Sequence, residues 1–134
     1  MKSLKISLWL AAIGCLTAVP FIALPWSVLE KLVLWFGVGP ISNNPLVMYF
    51  LRVSCGVYGL IGIFFIILAG NPLAYGPMLN LGAYGLIIFG LLSLIVGVGL
   101  GISPKVYTGD FLSGLILGVL IIVFSSRAKR AVGK

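Results

Sequence analysis

Three charged side chains stand where this sequence could do chemistry: Arg52, Asp110 and Glu30. The two carboxylates are the only acids in the chain, and Arg52 falls inside an otherwise apolar run. A guanidinium in hydrocarbon costs at least about 2.5–3.5 kcal/mol, so it requires a counter-charge, a watery cavity or a route to the interface. Two carboxylates can in principle serve as general acid and base, but no nucleophile–base pair stands beside them. The chain has no histidine, which removes the commonest general base and metal ligand. No phosphate loop, zinc spacing or haem motif occurs, so an enzyme is not expected, nor is a metal or cofactor. Cys15 and Cys55 lack a CxxC spacing and read as free thiols in apolar surroundings.

The elements that must position these groups follow from hydropathy. Apolar residues make up 61% of the 134 residues and charged ones 8%, and the mean hydropathy is +1.25. A soluble domain carries about 25% charged residues, so the chain reads as an integral membrane protein of one domain. The expected fold is all-α and polytopic, with transmembrane helices over about 6–24, 46–69, 78–101 and 106–124. The first resembles a signal peptide, but its apolar run continues past Cys15 to Leu24, long enough to span. Pro20 inside it predicts a kink. WSVLEKLVLWF (26–36) is too short and too charged to span, and its two tryptophans suit the membrane boundary, so a short interfacial helix is expected there. The basic tail after 124 is expected to fray.

The net charge of +7 does not indicate nucleic acid, because the basic residues lie at chain ends and loops and suit topology signals and anionic lipid. Lys2, Lys5, Arg127, Lys129, Arg130 and Lys134 fall on one side and Lys31 and Lys105 on the other. That asymmetry predicts cytoplasmic N- and C-termini. Arg52 then enters from the external side, six residues past Leu46 or roughly 9 Å along the axis. Asp110 enters the same leaflet, and Glu30 lies at the same interface. Arg52 is expected to pair with Asp110 or Glu30, Asp110 being favoured because it is itself at membrane depth. Asn43, Asn44, Tyr49 and Tyr107 are near enough in depth to complete a polar cluster. Such a cluster has a structural use, locking helices together or letting arginine snorkel to lipid phosphate. Its functional use would be an outward pocket for a polar or anionic ligand.

Small residues mark the faces where helices can approach: Gly56, Gly59 and Gly62 on the second span, Gly97 and Gly101 on the third, Gly114 and Gly118 on the fourth. Two stretches also echo one another. Asn44-Pro45-Leu46 recurs as Asn71-Pro72-Leu73, and GVYGLI (56–61) recurs as GAYGLI (82–87). Inverted repeats build midplane sites in transporters, whereas GxYG alone suits a close crossing with tyrosine capping the gap.

PFIALPWSVLE (20–30), the YxxR of Tyr49 to Arg52 and GVYGLIGIF (56–64) resemble small bacterial four-helix membrane proteins of the DoxX-like kind. The resemblance implies a four-helix bundle with an outward polar site and brings no established activity. The function expected from all of this is that of a non-catalytic, accessory membrane subunit. It would pack against membrane lipids and against other membrane subunits or itself. The alternative is a small oligomeric transporter or channel-like protein with an outward-facing site around Arg52. A fluorescent-protein fusion at Lys134 is expected to report a cytoplasmic C-terminus; an external report would reverse the orientation.

Overall fold

The computed structural model describes residues 1–35, 37 and 44–133. Five α-helices follow one another: α1 (Lys2–Leu16), α2 (Trp26–Trp35), α3 (Pro45–Gly70), α4 (Gly76–Gly99) and α5 (Pro104–Val132), with a 3₁₀ turn at Val19–Ile22. No strand occurs among the described residues. The chain is an all-α, polytopic membrane protein: four segments, Lys2–Ile22, Pro45–Gly70, Gly76–Gly99 and Pro104–Val132, are long and apolar enough to cross a membrane.

The helix ends have local causes. Asn44 caps α3, its Oδ1 accepting from the Leu46 N–H at 2.9 Å, and Pro45 follows where a missing N–H costs nothing. At the end of α4, Gly101 adopts φ +63. The Ile102 N–H reaches the Gly97 carbonyl at 3.0 Å, and the Gly101 N–H reaches that of Val98 at 3.1 Å. This is a Schellman motif, so Gly101 serves the turn and not helix packing; a Cβ there would meet nothing within 4 Å.

Two segments differ from the sequence expectation. The first span is not one helix over 6–24. It begins at Lys2, stops at Leu16 and resumes as the 3₁₀ turn that contains Pro20, because proline has no N–H to extend the α ladder. The tail does not fray after 124 but remains helical to Val132. Ser125 and Ala128 are buried there, and Lys129 and Arg130 complement the carbonyl end of the helix.

The spans run antiparallel in sequence. α1 packs on α3 and on α5, α4 packs on α5, and α3 and α4 scarcely touch. Both seams need glycine. On Gly62 a Cβ would stand 2.7 Å from Leu16 Cγ and 3.2 Å from the Ala12 carbonyl oxygen. On Gly118 it would stand 2.8 Å from the Ala83 carbonyl oxygen and 2.5 Å from Ile87 Cγ1. The large buried side chains Leu4, Leu8, Phe65, Leu68, Leu79 and Ile121 gather toward the end that carries both termini. The bundle is therefore filled there and opens between α3 and α4 toward the other end. Gly118→Ala should lose about 1–3 kcal/mol through overpacking. Gly85→Ala, where a Cβ meets open space, should gain up to about 1 kcal/mol from helix propensity. Thermal unfolding in detergent micelles followed by circular dichroism separates them, and equal effects would contradict the seam.

Candidate functional site

The opening between α3 and α4 is a cleft of about 550 Å³. Val53, Val57, Ile61 and Phe64 of α3 face Leu81 and Phe89 of α4 across it, with Gly82 and Gly85 in its floor. Phe64 and Phe65 pack against α4 at Gly82, where a Cβ would stand 3.1 Å from either ring. Behind the cleft lies a smaller pocket of about 130 Å³. Cys15 of α1, Tyr58 of α3, and Leu86 and Phe89 of α4 line both spaces. The Tyr58 and Phe89 rings meet edge to face between them, centroids 5.5 Å apart at 86°.

Asp110 lines the smaller pocket with Ser113, Gly114 and Leu117 of α5 and with Ala11 and Gly14 of α1. It sits six residues past Pro104, roughly 9 Å along α5. Around the helix it is roughly 40° from the buried Gly114; the residue is exposed, so the carboxylate stands at the open rim of this pocket. Among the described residues no cation lies within 4.0 Å of its carboxylate and no side chain donates to it. The Ser113 hydroxyl donates to the Asp110 backbone carbonyl at 3.3 Å.

The expected polar cluster is not assembled around Arg52. Arg52 is exposed and lines neither space. At ~100° per residue it sits roughly 170° round α3 from the centre of the cleft-lining face. The expected Arg52 pairing with Asp110 or Glu30 is therefore corrected: no ion pair within 4.0 Å forms among the described residues. Arg52 and Asp110 share a depth but not a direction. Asn44 spends its side chain on the α3 cap, and Tyr49 is exposed with its ring against Phe50, centroids 5.7 Å apart. Glu30 is half-buried on α2. Tyr107 packs against Gly97, and Asn43 lies outside the described residues.

The glycines divide the same way. Gly59, Gly62, Gly97, Gly114 and Gly118 each have a neighbour within Cβ contact, as do Gly82, the first residue of the GAYGLI echo, and Gly90, which no spacing in the sequence marks. A Cβ on Gly56 would meet nothing within 4 Å. The echo between the second and third spans does not place equivalent residues equivalently. Asn44 opens α3, whereas Asn71 is the C-cap residue that ends it. Tyr58 reaches across the cleft to Phe89, whereas Tyr84 is 56% exposed. Tyr58, Phe89 and Ser113 were missed as site residues; only the GxYG spacing hinted at Tyr58, as a tyrosine covering a gap.

The chain matches no family model, no curated protein and no solved structure. With Arg52 and Asp110 facing different ways, the losses from Arg52→Ala and Asp110→Ala should add within about 0.5 kcal/mol in the double variant. A double variant no less stable than either single one, measured by denaturation in micelles, would restore the pair.

Proposed function

We propose that this chain is a non-catalytic, accessory subunit of the bacterial inner membrane that packs against a partner transmembrane helix. The observation that carries the reading is the outward stripe of α3. Arg52, Gly56, Leu60, Ile63 and Ile67 recur every three or four residues, so they share one face of the helix. Leu60 is 69% exposed and a Cβ on Gly56 would meet nothing within 4 Å. Helices in lipid associate where small residues admit a neighbouring backbone. Gly59 and Gly62, on the adjoining face, are already taken up by Val19 and Leu16. Gly56 is left for a helix from outside, one turn from Arg52.

Arg52 strengthens this reading because a guanidinium at that depth requires a counter-group. A polar or acidic side chain of the partner would supply it, with lipid phosphate as the resting alternative. Both termini would be cytoplasmic, with the basic residues at 127–134 against anionic lipid and α2 at the opposite interface, anchored by Trp26 and Trp35. A transporter site centred on Arg52 has less support, since Arg52 lines neither internal space.

Gentle extraction from native membranes, followed by size analysis and mass spectrometry, tests the proposal. Wild-type chain should travel reproducibly with a partner. Gly56→Leu should release it as a monomer with unchanged helix content and melting temperature. Monomeric wild type, or undisturbed co-migration of Gly56→Leu, would refute the reading.

A further inference from the structure

The cleft and the pocket behind it combine three features that the partner face does not use. An apolar trough opens sideways between α3 and α4, two aromatic rings stand at its inner wall, and one unpaired carboxylate lines the space beyond them. We propose that this is a binding site for an amphiphilic organic cation: a hydrophobic ammonium whose apolar body lies in the cleft and whose charged head is countered by Asp110. The proposal is independent of the partner-helix reading, since the stripe at Arg52 and Gly56 lies on the far side of α3.

Each part of the site selects for this chemistry. The cleft, at about 550 Å³, falls in the ~300–1,000 Å³ range of small-molecule sites, which are mostly apolar with a few placed polar groups. The smaller pocket, at about 130 Å³ and open at Asp110 and Ser113, has room for about four water volumes, which suits a compact charged head. Its charge sets the sign of the ligand. Asp110 is the acid that lines it, and Arg52 is turned away, so an anion would meet only repulsion there. Tyr58 and Phe89 add ring faces that attract a cation.

Hardness sets the kind of cation. A calcium ion takes six to eight oxygen ligands and magnesium near-ideal octahedral geometry. Here one carboxylate, a serine hydroxyl already donating to the backbone and a phenol are at hand. A large, weakly hydrated ammonium needs no such set and gains from the apolar walls.

The test uses purified protein in phosphatidylcholine nanodiscs, titrated calorimetrically with octyltrimethylammonium after subtraction of empty nanodiscs. Octanol and octyl sulfate are the neutral and anionic controls of equal chain length. The cation should bind saturably and about tenfold or more tighter than either control, with Asp110→Asn losing about tenfold or more. Phe89→Leu should weaken binding by about threefold, through the lost ring face. Matching affinity for octanol would leave only an acyl-chain cleft and would overturn the proposal, as would unsaturable binding or an unchanged Asp110→Asn. If Asp110→Asn does not fold, the comparison of the three ligands on wild-type protein decides alone.

Discussion

In hydrocarbon, helices gain nothing by hiding leucine from lipid, so they associate where backbones can come into contact. That condition is met here along two seams. Gly62 admits α1 to α3, Gly59 admits the 3₁₀ turn at Val19, and Gly90, Gly114 and Gly118 bring α4 and α5 together. α1 then joins the two pairs by packing on α5. The edge between α3 and α4 is left without a seam, with Phe64 and Phe65 bridging it at Gly82. The cleft is thus a consequence of where small residues fall, not a separate feature laid over the fold.

The taper of the core follows from the same arrangement. Leu4, Leu8, Leu68, Leu79 and Ile121 fill the end that carries the termini. Toward the other end α1 stops at Leu16 and narrows into the 3₁₀ turn at Val19–Ile22. Less side-chain volume reaches the axis there, and the small pocket beside Asp110 occupies the difference. Gly14 and Cys15, in the last turn of α1 before it stops, line that pocket.

Charge placement shows how depth and direction act separately. Arg52 and Asp110 enter their helices six or seven residues from the same end, and depth alone would make them partners. Rotation about the helix axis separates them. Arg52 is carried outward, where its long stem can reach an interface or a neighbour. Asp110 is turned toward α1, at the exposed rim of the small pocket that it lines with Ala11 and Gly14. The proposed partner face and the proposed cation site rest on this one division of the two charges.

The sequence by itself determined the number of spans, the approximate limits of the second and third, and an interruption near Pro20. Apolar run length, proline and capping residues act through local backbone chemistry that needs no neighbour. It also marked Gly59, Gly62, Gly114 and Gly118 of the two seams but not Gly90, and Gly56 and Gly101 carried the same signal without packing in either seam. The tertiary structure alone decided which faces meet. It turned Arg52 away from Asp110, brought Tyr58 to Phe89, and left α3 and α4 apart. Those outcomes depend on the order of helices around the bundle and on each helix's rotation, which arise from packing all four spans together and not from any one segment.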